Sequence, residues 1–219
     1  MPWESDFKNL LDRATSRLGV ERLTFPYEKG FPPDYRAIVS PRLAVRDVLR
    51  LEMAIRSGRD ALDLRPPGVD DGGAFHRLTV YGEKPRDLDA IIPLLRNLGL
   101  RVVDQIQFVL TIELRQFYIR KFFVKAINGA SAGLSNYKRA LLEALDALLS
   151  DQTEDDALNS LVMLTGFNWK MVDLLRAYCN YYLQINNRFE RRRVHGALIA
   201  NYEATRLLYR YFETRFKPD

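Results

Sequence analysis

The sequence predicts an α+β fold in two parts: a small ferredoxin-like unit with extra helices at its N-terminal end, then an all-α helical unit. Three observations lead there. Between Ala61 and Ile112, runs with the two-residue period of strands enclose one run with the period of a helix. The small residues Gly129-Ala130-Ser131-Ala132-Gly133 read as a linker. Beyond them, almost every apolar residue falls on a helical stripe.

Taken in order, Phe7, Leu10, Leu11, Ala14 and Leu18 recur at helical spacing, and Gly19 is a stop. A connector broken by Pro and Gly follows, from Phe25-Pro26 to Pro32-Pro33. Ser40-Pro41 opens a second helix, with proline in the first turn where its missing N–H costs little. Its stripe is Val45, Val48, Leu49, Glu52 and Met53, and Arg56-Ser57-Gly58 ends it. Ala61–Leu64 starts a strand, Asp70–Gly73 is a turn on composition, and Phe75–Tyr81 alternates as a second strand. Asp87–Leu98 is a helix stopped by Gly99. Val102, Ile106, Phe108, Leu110 and Ile112 share one parity and predict a third, long strand. Strand, turn, strand, helix, strand is the order behind the ferredoxin-like reading. After the linker, Tyr137, Leu141, Leu145, Leu148 and Leu149 form a stripe. Thr153 is the expected cap of a helix through Leu158, Leu161 and Val162 to Gly166. Asn168 is the expected cap of the next, carrying Val172, Leu175, Tyr178 and Tyr182, with Trp169 as an interior anchor. Two further helices span about Arg191–Ala200 and Tyr202–Phe216. The domains expected are 1–128 and 134–219.

The composition is that of a globular protein, 47% apolar and 28% charged, which excludes a disordered chain. Met1–Asp6 has no basic start or apolar core, so no signal peptide is read there. Glu143 and Asp146 interrupt the apolar run Ala140–Leu149, so no membrane span is expected. A single cysteine, Cys179, rules out an internal disulfide. Together these favour a cytoplasmic setting. The net charge is +5, and its excess gathers at the C-terminal end. From Ile185 onward eight Lys and Arg face four Asp and Glu.

No constellation that carries chemistry stands out. Gly129–Gly133 is followed by Leu134-Ser135, whereas a phosphate cradle needs Lys and then Ser or Thr after the last glycine. No Gly-x-Gly-x-x-Gly follows a strand, so no dinucleotide site is visible. His76, His195 and Cys179 lack the spacing of a structural zinc site, and Cys179 among Tyr178, Tyr181 and Tyr182 reads as a buried thiol. Glu154-Asp155-Asp156 read as acids in a helix's first turn, where consecutive side chains diverge rather than converge on an ion. Glu190-Arg191-Arg192-Arg193 with the three tyrosines could engage nucleic acid. The tyrosines, however, fit an interhelical core, and no recognition fold is evident. No catalytic, cofactor-binding or metal-ligating residue is therefore expected.

The residue strings go further. Asp155-Asp156-Ala157-Leu158-Asn159-Ser160-Leu161-Val162-Met163-Leu164-Thr165-Gly166-Phe167-Asn168-Trp169, continued by Val172–Gln184, resembles a signature of the very large bacterial NAD-dependent glutamate dehydrogenases. Arg206-Leu207-Leu208 through Phe212–Pro218 resembles the junction ahead of the catalytic region in that family. Leu88–Val102, with Pro93 and Leu94, is similar to its strand–helix–strand segment, and Trp3, Leu10, Leu11, Phe31-Pro32-Pro33 and Tyr35 fit the pattern. Cys179 departs from it, and Gly129–Gly133 falls in a variable part.

The resemblance implies that the first half is the last ACT-like regulatory domain and the second a helical motif. The chain alone is then inactive and holds no cofactor. The implied parent enzyme converts L-glutamate to 2-oxoglutarate and ammonia with NAD. The partners implied are the catalytic region, further copies of the enzyme and an amino-acid effector, with no nucleic acid and no membrane. The C-terminal helices are expected to dock the catalytic region, with Leu207, Leu208, Tyr211 and Phe212 as anchors and Arg206, Arg210 and Arg215 as a rim. The alternative is a free-standing ACT-like module that binds an amino acid or an acidic protein.

Overall fold

Aromatic side chains spaced along the first sixty residues need a common place to bury, and that need organises the N-terminal region. In a computed structural model, which describes residues 2–18, 23–68, 75–127, 134–186 and 188–216, helix α1 (Pro2–Leu18) sets Trp3 and Phe7 one turn apart, rings 5.3 Å apart and stacked. The connector expected to be irregular carries a 3-10 turn (Tyr27–Lys29) and a short helix α2 (Pro33–Ile38), which deliver Tyr27, Phe31 and Tyr35. Phe31 lies edge-on to Phe7 at 5.2 Å and stacked on Tyr35 at 4.6 Å. Helix α3 (Pro41–Ser57) starts with its proline in the first turn, as the sequence predicts, and ends where Gly58 takes a left-handed conformation.

Strands β1 (Ala61–Arg65), β2 (His76–Gly82), β3 (Leu100–Ile112) and β4 (Arg115–Ala126) form one antiparallel sheet in the order β1-β2-β4-β3. Helix α4 (Leu88–Asn97) connects β2 to β3. The α+β, ACT-like expectation holds, with one correction: the sequence reading stops at three strands, and β4 is a fourth, inserted between β2 and β3. The β3–β4 turn is Glu113-Leu114, both at positive φ. Two-residue hairpin turns of this kind normally take Asn-Gly or Asp-Gly, so the usual signal is missing.

The chain groups into two compact units. The first comprises Met1–Asp63, Arg77–Arg86 and Asp104–Phe123. In it Phe108, Leu110, Ile112, Phe117 and Ile119 form one core with Phe7, Leu11, Tyr35, Val48 and Leu51. At the centre is a buried carboxylate. Asp47 of α3 accepts from Tyr35 Oη at 2.7 Å, Tyr81 Oη at 2.8 Å and Lys121 Nζ at 2.9 Å. Lys121 also lies over the Tyr35 and Phe108 rings. Glu52, one turn further along α3, accepts from Thr24 and from Tyr27 Oη and ties the connector down.

The second unit comprises Leu64–His76, Asp87–Val103 and Val124–Asp219. Here α4 packs on a 3-10 turn (Ala157–Ser160) and on α5 (Lys138–Leu149), whose inner face is Leu141, Ala144, Leu145 and Leu148. Helices α6 (Leu161–Thr165), α7 (Trp169–Ile185), α8 (Arg191–Ala200) and α9 (Tyr202–Phe216) follow. Gly166, at φ 79°, ends α6, and Asn168 caps α7 by accepting from Met171 N at 3.0 Å. Thr153 is not a cap. Asp156 accepts from Leu158 N instead, and Thr153 Oγ1 donates to Asp173 at 2.6 Å. Glu154–Asp156 accordingly precede the 3-10 turn rather than opening a helix. No helix among the described residues is long and apolar enough to cross a membrane.

Candidate docking face

A buried cation inside the second unit fixes where α7 runs. Arg176, almost wholly buried on α7, donates Nε to Asp156 at 2.8 Å and Nη2 to Asn159 at 2.7 Å. Its Nη1 reaches Thr153 at 3.1 Å and Asp173. The planar fork satisfies acceptors from α7 and the 153–159 segment at once, which an ammonium could not do in one plane. Its charge is held firmly: burial opposes it, but Asp156 and then Asp173 prevail, raising the guanidinium above its ordinary value. A shallow depression of about 230 Å³ opens beside this cluster, lined by Gln152, Thr153, Glu154, Asp173, Arg176, Ala177 and Asn180. Its charged walls already answer one another, since Asp173 is bound to Thr153 and Arg176, and Glu154 lies 3.7 Å from Arg191.

Of the residues considered for chemistry, Cys179 and His195 both lie in the field of Asp156, whose charge Arg176 already answers. Cys179 is buried, and burial, then Asp156, pushes its thiol up, away from the thiolate a nucleophile needs. His195, buried on α8, has Nδ1 3.9 Å from Asp156, and burial lowers its pKa. His76 is buried in β2, also lowered by burial. Glu154, Asp155 and Asp156 each take a different partner, Arg191, Asn97 and Arg176. No group of three or more His, Cys, Asp or Glu placed to hold a metal occurs among the described residues. Gly129–Gly133 lies outside them.

Two expectations about aromatic residues need correction. Trp169 is half-buried, with Lys170 Nζ 5.5 Å from its ring; the interior anchor is its neighbour Phe167, packed on Tyr209 at 4.9 Å. Tyr178, Tyr181 and Tyr182 are not an interhelical core. The buried side of α7 is Val172, Leu175, Arg176 and Cys179, which leaves Tyr181 61% exposed and Ile185 67% exposed.

These side chains join an outward face on α9. Leu207, Leu208 and Tyr211 are all more than half exposed, while Phe212 is half-buried. Phe212 links the two helices, with Tyr178 edge-on at 5.4 Å and Phe216 at 5.0 Å. Tyr182 stacks on Phe189 at 6.5 Å. The result is two ring groups, one of Phe216, Phe212 and Tyr178 and one of Tyr182 and Phe189, whose tyrosines lie one turn apart on α7. Arg215 lies 5.9 Å from the Phe216 ring at one end, and Arg193 lies 5.3 Å from Phe189 at the other. Sequence periodicity marks such a stripe but does not tell whether the chain itself covers it.

Three family models match along the chain, all of glutamate dehydrogenase: helical motif 2 over residues 19–54, the ACT3 domain over 61–137 and helical motif 3 over 153–218. The chain belongs to the large NAD-dependent glutamate dehydrogenase family. Among its relatives, the NAD-specific glutamate dehydrogenase of Pseudomonas aeruginosa is 28% identical over 98% of this chain. That of Halomonas elongata is 25% identical over 99%, and that of Mycobacterium tuberculosis 25% identical over 88%. The chain spans 12–13% of the length of these relatives. Helix α2 and most of α3 thus match a helical-motif model separate from the ACT3 model that covers the sheet.

Proposed function

We propose that this chain is a non-catalytic structural and regulatory segment of a large cytoplasmic NAD-dependent glutamate dehydrogenase. Its sheet unit serves assembly or the sensing of an amino-acid effector, and its helical unit docks the catalytic region. The whole enzyme would convert L-glutamate to 2-oxoglutarate and ammonia with NAD and work as a homo-oligomer. The observation that carries this reading is the alignment of nearly the entire chain within about an eighth of the length of its relatives from Pseudomonas and Halomonas, while the family models it matches, over residues 19–54, 61–137 and 153–218, are described as helical motifs and an ACT domain. The exposed ring face supports docking, because apolar side chains gathered on a surface mark an interaction site.

The test measures glutamate-dependent NADH formation by the purified chain, by the separately expressed remainder of its polypeptide, and by the two mixed. Activity present only with the remainder, and raised on mixing, is the expected result. Turnover by the chain alone would refute the non-catalytic reading. Tight calorimetric binding of an amino acid, without any effect on the remainder, would favour a free-standing module.

A further inference from the structure

We infer that the ring face running from Phe216 on α9 across Tyr178 and Tyr181 of α7 to Phe189 is a docking surface for an acidic, apolar-centred face on the remainder of the same polypeptide. This rests on the docking reading above and specifies where the contact lies and what chemistry answers it. The contact centre expected from the sequence lies on the helices from Arg191 to Phe216, with its anchors on α9. The structure moves it onto α7, whose tyrosines are turned outward by the buried Arg176 and Cys179 on the opposite side of the helix.

Charge selects the partner. Arg193 and Arg215, at the two ends of the face, are stacked on its rings and have no ion-pair partner among the described residues. Arg210, on the same helix as Leu207 and Tyr211, likewise has none. Of the nearby acids, Glu203 is engaged by Arg206 at 2.7 Å, while Glu190 beside Phe189 leaves the rim of Arg193, Arg210 and Arg215 with a cationic excess. A cationic rim around aromatic anchors fits an acidic surface with an apolar centre. A second copy of this chain would bring one cationic rim against another, which opposes self-pairing. Single-stranded nucleic acid would have the exposed rings of Tyr181 and Tyr211 to stack on, and the salt dependence of binding separates it from a protein partner. The relatives are several times longer than this chain, so in them the corresponding stretch lies within a polypeptide with ample further surface.

The experiment titrates the full 219-residue chain against the separately expressed remainder of its polypeptide, with single-stranded RNA and duplex DNA as parallel probes and sedimentation to detect self-association. Two variants accompany it, Tyr181→Ser/Ile185→Ser and Arg193→Glu/Arg215→Glu. Both alter exposed side chains, and thermal melts verify that they remain folded. The expected result is binding of the remainder that weakens about tenfold or more in the first variant. In the second, association should slow and lose its salt dependence. Binding by both variants at the wild-type level would overturn the assignment of the face while leaving the docking reading intact. No binding by the wild-type chain would overturn both. Self-association abolished by Tyr181→Ser/Ile185→Ser, or steeply salt-dependent binding to nucleic acid, would replace the proposed partner with a second copy or with nucleic acid.

Discussion

Replacing Arg176 by Met keeps the volume and removes the charge that α7 shares with the 153–159 segment. The side chain is only 4% exposed, that of Asp156 17% and that of Asp173 33%. Breaking a buried ion pair by deleting one partner costs about 3–5 kcal/mol, because the abandoned charge stays out of water. Asp173 recovers much of its hydration at the surface, so the loss falls mainly on Asp156, and the lower end of that range, about 3 kcal/mol, is expected. For a protein of this size that corresponds to a fall in Tm of about 6–12 °C. The chain has two tryptophans, Trp3 and Trp169, and Trp169 starts α7. In a Trp3→Phe background, urea unfolding followed by Trp169 fluorescence therefore reports on the second unit. Adding Asp156→Asn, which retains the cap to Leu158 N and removes the stranded charge, should restore about 1–2 kcal/mol. An Arg176→Met protein within about 1 kcal/mol of wild type, or an Asp156→Asn change that is purely additive, would show that the cluster does not hold the helices as argued.

Three other outcomes are expected. Glu113→Asn with Leu114→Gly should stabilise the β3–β4 hairpin by about 1 kcal/mol, since both positions sit at positive φ and Leu114 is 99% exposed with nothing to lose; unchanged denaturant midpoints would contradict this. Burial lowers the pKa of His195, so as pH falls through the ordinary histidine value of about 6.5 the unfolded chain takes up the proton first and stability declines; His195→Gln should flatten that slope between pH 7 and 5, and an identical slope would remove His195 from the account. Limited proteolysis should cut first within residues 125–136, where small residues cluster in the sequence, and earlier cuts elsewhere would speak against a boundary there.

The helices and most strands were legible because period and punctuation agreed. Pro41 and Gly58 bound α3, Gly99 and Gly166 stop α4 and α6, and Asn168 starts α7. β4 escaped for two physical reasons. Its turn lacks glycine, and Arg120 and Lys121 interrupt the alternation of Phe117, Ile119, Phe122 and Val124. Both charges are tolerated because each meets a partner, Arg120 with Gln107 across the hairpin and Lys121 with Asp47 of α3. Leu207, Leu208 and Tyr211 of α9 were readable as an apolar group beside Arg206 and Arg210. The α7 tyrosines were not, because Tyr178 and Tyr182 continue the spacing of Val172 and Leu175. Only the packing of α5, the Ala157–Ser160 turn, α6 and α8 on α7, which takes the side bearing Arg176 and Cys179, turns them out.

The carboxylate of Asp47 also acts as a check on strand alignment. It gathers groups 12, 34 and 74 positions away along the chain, drawn from α2, β2 and β4. Side chains alternate across a strand, so a slip of β4 by a single residue would swing Lys121 to the opposite side of the sheet and bring Arg120 or Phe122 toward Asp47. That misalignment would separate Lys121 from Asp47 and Arg120 from Gln107 together. Two charges that look misplaced in a strand thus make the neighbouring registers costly, so the sheet has one pairing to settle into despite a turn that does little to dictate it.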